Sequence, residues 1–428
     1  MLIRGLKLNK STSILALFTL PVALILLSDN ILSFIVPIEI GKVVNSNLLT
    51  GVILGFSSLV GLFSDYLFPP FLKNLSWKVQ FIAAVIMALF FPIISALGII
   101  YSSIWLFFMV SILWGIYYEL LVFSEEDFMV EEETKREYSK DWSVLMSLNV
   151  FTNIIGPIIA SVLVILPVWN FTTILVFIVI IALIYSLTIF GFQIKHPEST
   201  DENSVKEITK RHRFRGELFR EMKLWKEFLK EMLPILILTF FLNWLDMTFF
   251  VLGGLFGIKL VGTNGLEWIV VVLYNLPTIL IAIFLVKKPI ERKKKLYSTV
   301  ALLFAGIAFS LVAFFSNLGL LVLLPIVTGA FAIAFSWPLS KAAVSDITRR
   351  AGIYKTNVMG IYNAISSLAC FISPIVMGYI ADSYGYYIMI TIMGVISIVV
   401  AILLLVIMPK RINVKHLELE KIDAALKI

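Results

Sequence analysis

Cysteine, histidine and charge are all scarce in this 428-residue chain, and each scarcity removes a class of function. The single cysteine, Cys370, lies inside an apolar run, which excludes a disulfide framework and a thiolate metal site. The three histidines, His196, His212 and His416, all fall in charged segments, and no His-Glu-x-x-His occurs, so an intramembrane metalloprotease is not expected. No Gly-x4-Gly-Lys-Ser/Thr phosphate loop is present, which argues against ATP as the energy source. The expectation is a protein that is not an enzyme, with no cofactor, no metal and no catalytic residue. Charged residues make up only 15% of the chain, against roughly 25% in an average soluble protein.

What is present is apolar. Hydrophobic residues reach 60% and the mean hydropathy is +0.97. The charges come in blocks separated by apolar runs of about 20 residues, the length that crosses a bilayer as a helix. Backbone groups in lipid must be satisfied within the segment, so the runs read as helices and the chain as an all-α integral membrane protein. Spans are expected at about 12–36, 48–70, 79–99, 102–124, 142–165, 170–192, 233–256, 265–286, 297–316, 319–344, 355–379 and 385–408. Arg4, Lys7 and Lys10 precede the apolar run Ile14–Leu27, which continues too far for a cleaved leader and reads as a retained first helix.

With twelve spans and the N-terminus in the cytoplasm, every basic residue except Lys42 and Lys259 falls on the cytoplasmic side. That is the distribution expected of cytoplasmic loops, and it puts both termini inside. The net charge of +7 therefore reflects membrane orientation, and nucleic acid is not an expected partner.

One long charged segment, Gln193–Met232, divides the chain, with ten Lys/Arg and eight Asp/Glu. Its first part, Pro197–Ser204, reads as a flexible linker. Its second part repeats apolar residues at Phe214, Leu218, Met222, Trp225, Leu229 and Met232, a helical period with one apolar face. That helix lies along the membrane surface or caps neighbouring helix ends. The expected organisation is a six-helix bundle over 1–192, a cytoplasmic linker with an amphipathic helix over 193–232, a second six-helix bundle over 233–409 and a cytoplasmic tail over 410–428.

The halves carry a weak repeat. Gly156-Pro157 in the fifth span aligns with Ser373-Pro374 in the eleventh, 217 residues later. Pro21 and Pro234 open the first and seventh spans, each followed by polar residues, Asp29-Asn30 in one and Asn243 with Asp246 in the other. A parallel duplication joined by an inner linker gives this pattern.

These features resemble a transporter of the major facilitator superfamily over nearly the whole chain. Gly61-Leu62-Phe63-Ser64-Asp65 matches the glycine and aspartate of the family's loop signature, although Leu67–Phe71 replaces its compact basic portion. Gly156-Pro157 resembles the fifth-helix element of drug–proton antiporters. Pro374 with Gly378-Tyr379-Ile380-Ala381-Asp382 and Gly385 resembles the end of the eleventh helix. The resemblance implies two bundles around a central cavity that opens to alternate sides as the halves rock, with Gly61, Asp65, Gly156, Pro157 and Pro374 in gating roles. It also implies a monomer.

Lipid does not accept the polar groups inside the spans, so these define the cavity lining. Asp29 interrupts the first span, where an ionised carboxylate costs roughly 2.5–3.5 kcal/mol or more. It faces a wet cavity, pairs with a cation or takes up a proton; the alternative is a structural hydrogen bond between helices. Asn30 adjoins it and Ser33 shares its face. Asp246 is its counterpart, with Asn243 one turn earlier. Glu119, beside Tyr118 and one turn after Gly115, forms an acid-plus-aromatic patch suited to an organic cation, or else a carboxylate reaching toward the inner interface. Asn149 and Asn153 lie one turn apart on the fifth span, and Tyr362 and Asn363 begin a polar stripe on the eleventh. Trp337-Pro338 reads as a kink, Lys341 as a lysine reaching for the inner interface, and Glu267 as an interfacial residue near the outer end of the eighth span.

The expected function is secondary active transport across the plasma membrane by a multi-pass protein. A small-molecule substrate and protons are its partners, and export of an amphipathic or cationic compound by proton exchange is favoured. A nutrient symporter or facilitator, for a sugar or organic acid, is the alternative, and a non-transporting receptor the third reading.

Overall fold

The computed structural model describes residues 10–72, 75–131, 138–190, 214–262, 265–288, 290, 292–350 and 355–409. Among these, the chain is helical throughout. The first six helices are α1 (Lys10–Val44), α2 (Asn47–Leu72), α3 (Trp77–Tyr101), α4 (Ile104–Glu131), α5 (Tyr138–Leu163) and α6 (Val168–Phe190). The second six are α7 (Phe214–Val261), α8 (Ile269–Lys287), α9 (Lys294–Ser310), α10 (Leu323–Arg350), α11 (Lys355–Tyr384) and α12 (Tyr386–Ile407), with 3-10 turns Val312–Phe315 and Gly319–Val322 between α9 and α10.

The twelve expected spans correspond to these twelve helices. Ten are long and apolar enough to cross a bilayer. Among the described residues the apolar parts of α5 and α8 are Leu148–Leu163 and Ile269–Leu285, and they carry the cavity residues Asn149, Asn153 and Asn275. Helix α1 continues past Pro37 to Val44, well beyond the expected end near residue 36. The amphipathic segment from Phe214 to Met232 is not a separate helix lying on the surface: it is the first part of α7, a helix of 48 residues that runs through Pro234. The second part of the expected 193–232 linker is therefore helical and continuous with α7, whereas residues 193–213, like the tail 410–428, lie outside the described residues.

Helices α1–α6 pack among themselves, as do α7–α12; between the halves, α2 meets α11, α5 meets α8 and α1 meets α7. The α2–α11 and α5–α8 pairs exchange under a six-helix shift, as a duplicated arrangement requires.

Side-chain hydrogen bonds set the register of that duplication. Asn30 of α1 donates through Nδ2 to the Leu26 carbonyl at 2.8 Å and to Thr152 Oγ1 of α5 at 3.0 Å. Asn243 of α7 donates through Nδ2 to the Thr239 carbonyl at 2.9 Å and to Ser366 Oγ of α11 at 3.2 Å. Gly156 packs on Asn30, where an added Cβ would stand 2.6 Å from the Asn30 Cβ. The residue in that place against Asn243 is Cys370, whose Sγ lies 3.9 Å from Asn243 Oδ1. Gly156 therefore pairs with Cys370 rather than with Ser373, so the proline-based register of 217 residues is about one turn out.

The halves close on each other at the end that carries the α1–α2 turn. A Cβ on Gly51 would stand 2.1 Å from the Pro374 carbonyl oxygen, one on Gly55 2.8 Å from the Phe371 carbonyl oxygen and one on Gly378 2.3 Å from the Asn47 carbonyl oxygen. Glycine is what permits the α2 and α11 backbones to approach so closely. Beside them, Gly254 of α7 receives Phe34 and Ile38 of α1, and Gly41 of α1 receives Leu255.

Candidate functional site

Between the halves, below that closed end, lies a cavity of about 610 Å³. Its depth is set by the position of each lining residue along its helix. Asp29, Asn30 and Ser33 come from α1, and Tyr118 and Glu119 from α4. Asn149, Asn153 and Pro157 come from α5, and Asn243 and Asp246 from α7, while Tyr362 and Asn363 come from α11. Every candidate substrate or coupling residue from the sequence thus reaches one cavity. Toward the linker end the lining extends to Val122, Asn149, Lys341 and Tyr362.

The candidate gating residues have separate positions. Pro374 fills the α2–α11 closure, Gly156 seats Asn30, and Pro157 lines the cavity. Gly61 receives the Glu119 carboxylate, with Oε1 2.9 Å from where a Cβ would be, so these two residues form one α2–α4 contact. Asp65 is in the last two turns of α2, and its side chain lies outside the described residues.

The two aspartates have different surroundings. The Asp29 side chain is buried and accepts one long hydrogen bond, from Ser33 Oγ at 3.5 Å. Trp114 and Tyr117 of α4 adjoin its carboxyl, and the buried Tyr117 hydroxyl has no partner of good hydrogen-bond geometry. Asp246 is held at both oxygens: Tyr274 Oη of α8 donates to Oδ1 at 2.5 Å, and the Trp337 indole N–H of α10 donates to Oδ2. Lys341, one turn beyond Trp337, stands over that indole ring with Nζ 5.0 Å from its centroid.

Three of these residues, Lys341, Trp337 and Glu267, depart from the sequence reading. Lys341 does not reach for the interface but opens onto the cavity, because α10 turns that face inward. Trp337 is a ligand of Asp246 as well as the neighbour of a helix proline. Glu267 is buried rather than interfacial, with Oε1 accepting from the Gly265 N–H at 3.2 Å. Glu119 faces the cavity. Tyr274, Asn275, Trp114 and Tyr117 were not singled out in advance. Tyr274-Asn275 interrupts an otherwise apolar run, which is the signal that marks such a pair; Trp114 and Tyr117 sit among so many aromatics that composition hides them.

A twelve-helix membrane protein with a polar cavity between two related halves has the architecture of a secondary transporter. The sequence profile of the Major Facilitator Superfamily matches residues 128–352 and 265–426, and the chain belongs to that superfamily. It is a multi-pass membrane transporter and not an enzyme. Solved structures share the fold. A POT family transporter in complex with 5-aminolevulinic acid superposes with a TM-score of 0.71 at 12% identity, over 93% of this chain and 96% of that one. The nucleoside transporter NupG gives 0.63 at 12% identity, over 90% and 98%. The human organic anion transporter MFSD10 (TETRAN) gives 0.62 at 15% identity, over 93% and 100%. No curated protein matches the sequence.

Proposed function

We propose that the chain is a proton-coupled exporter that moves a small organic solute bearing a cationic group by alternating access between its two halves. The linker end is the cytoplasmic end, both termini are cytoplasmic, and the conformation described above, closed at the α1–α2 turn, is the inward-open one. The protein works as a monomer in the plasma membrane.

The observation that carries this reading is the contrast between Asp29 and Asp246 on the first helices of the two halves. Asp246 is fixed by two neutral donors, so its charge is spread over a rigid hydrogen-bond set and keeps its place. Asp29 has one hydrogen bond that meets good geometry, from Ser33 at 3.5 Å, with the Tyr117 hydroxyl and Trp114 indole adjoining its carboxyl. This is a looser set than the one that holds Asp246, and a poorer substitute for water around an ionised carboxylate. Either a proton or the cationic group of a solute satisfies it, and the two compete. Competition for one carboxylate is the simplest way to couple their opposite movement. Trp114 and Tyr118 beside it offer aromatic faces to an organic cation.

The test is uptake of a mixed solute pool into proteoliposomes, read by mass spectrometry, with and without an acidic interior. Accumulation driven by the acidic interior identifies the antiporter and its substrate. Uptake indifferent to the gradient leaves a facilitator and removes Asp29 from coupling.

A further inference from the structure

We infer that the transported solute is a zwitterion, with its carboxylate on Lys341 and its cationic group toward Asp29 and Glu119. This rests on the transport reading above and narrows the solute class that the cavity accepts.

Lys341 sets the requirement on the solute. Its ammonium is in the cavity, on a transmembrane helix, and no carboxylate lies within 4.0 Å of it among the described residues. A cation on a membrane-spanning helix faces a wet cavity or stands beside a counter-charge, and Lys341 is exposed to the cavity. Asp246 acts on the ammonium electrostatically through space, but its two oxygens are held by Tyr274 and Trp337 and it makes no ion pair with that ammonium. The Trp337 ring supports the ammonium from one side at 5.0 Å, which orients it without neutralising it. Lys341 is therefore a positioned cation with no direct ion pair and an exposed face on the cavity, open to contact with an anionic group of a solute.

The opposite half disfavours a simple anion whenever Asp29 is ionised. Asp29 and Glu119 both line the cavity on the N-terminal side, with the rings of Trp114 and Tyr118 next to them. A plain carboxylate drawn to Lys341 faces that negative wall, while a plain cation drawn to the wall leaves Lys341 without a partner. A molecule with both charges satisfies the two sides together. Because it touches both halves, its binding also reports to both, as closure of the halves around a solute requires.

The experiment is a binding titration of the purified full chain with straight-chain amino acids from glycine to aminohexanoate, each beside its methyl ester and its N-acetyl derivative. One of the free amino acids is expected to bind at least about tenfold more tightly than either of its blocked forms, since each block deletes one charge-assisted contact. In Lys341→Met the free acid and its ester are expected to bind equally, while retained ester binding reports that the variant is folded. Lys341→Arg is expected to keep the preference for the free acid. An ester that binds wild type as tightly as the free acid, or no binding by any free acid in the series, overturns the inference. In the same vesicles, accumulation of an ester driven by an acidic interior leaves the transport reading standing while this one falls. Loss of all gradient-driven flux counts against the transport reading itself.

Discussion

Asp382 of α11 accepts two hydrogen bonds from Asn47 at the start of α2, one from the backbone N–H and one from the side-chain amide, each at 2.8 Å. Its second oxygen takes Ser46 Oγ at 2.7 Å and the Leu48 N–H at 2.9 Å. A carboxylate from the second half thus caps a helix of the first, where orphan N–H groups and the helix dipole favour negative charge. Tyr386 Oη adds a hydrogen bond to Asn47 Oδ1 at 2.6 Å.

Because this cap joins the halves only when the turn end is closed, its loss acts on the balance between states more than on folding. Removing a helix cap costs about 1–2 kcal/mol, a factor of roughly 5–30 in a two-state ratio. Asp382→Ala is expected to raise the population open at the turn end by that factor. Spin labels at the exposed positions Leu49 and Tyr379 read it as growth of the longer distance. An unchanged distance distribution means the cap carries no weight in gating.

Two glycines separate gating from stability. Gly51 meets Pro374 across the halves, whereas Gly156 meets Asn30 within one half. In Gly51→Val the new side chain collides with backbone only in the closed arrangement, so the variant is expected to remain folded and to populate the state open at the turn end. In Gly156→Val the collision exists in every state, and a loss of about 1–3 kcal/mol is expected from overpacking. Melting temperature and the Leu49–Tyr379 label distance, measured on both variants, give opposite patterns if the assignment is right.

The fold was largely legible because its signals are repetitive. Apolar length and the distribution of basic residues are both properties of long stretches, and both specify twelve helices. The cavity lining was legible for a related reason: Asp29, Asn30, Asn243 and Asp246 are conspicuous in apolar runs that lipid would otherwise require to be plain. The register of the repeat was less legible. Prolines suggested it, but the packed equivalents are Gly156 and Cys370, a pair with no chemical likeness beyond small size. Asp382 lay in a recognisable Gly378–Gly385 pattern, yet its partner is more than three hundred residues away, and no local spacing announces a cap supplied by another helix. Lys341 was visible but misdirected, since a lysine near a helix end looks the same whether its face turns to lipid headgroups or to a cavity.

The matched hydrogen bonds of Asn30 and Asn243 predict matched costs. Asn30→Leu leaves Thr152 without its α1 partner, and Asn243→Leu leaves Ser366 without its α7 partner. Each is expected to lower stability by about 1–2 kcal/mol, the range for a buried hydrogen bond lost with one partner remaining. The sites lie in different halves and share no contact, so the double variant is expected to show the sum within about 0.5 kcal/mol. Chemical unfolding in detergent, followed by tryptophan fluorescence, measures it. A large non-additive term means the two pairs are coupled through the interface between the halves.

Asp29 and Asp246 are expected to do different work, because their surroundings differ. Asp29→Asn keeps shape and a hydrogen-bonding group but cannot exchange a proton. Gradient-driven accumulation is expected to vanish, and the counterflow that remains is expected to lose its dependence on pH. Asp246→Asn places an amide between Tyr274 and Trp337, both of which donate, so its N–H2 group meets a donor it cannot accept from. The Trp337 indole then shifts, and with it the Lys341 ammonium that stands over the ring. Weaker substrate binding is expected, with the pH dependence of the remaining flux intact. Counterflow measured from pH 5 to pH 9 in both variants separates the roles. If the pH dependence disappears in Asp246→Asn and survives in Asp29→Asn, the coupling carboxylate lies in the second half, and the contrast in hydrogen bonding points the other way from function.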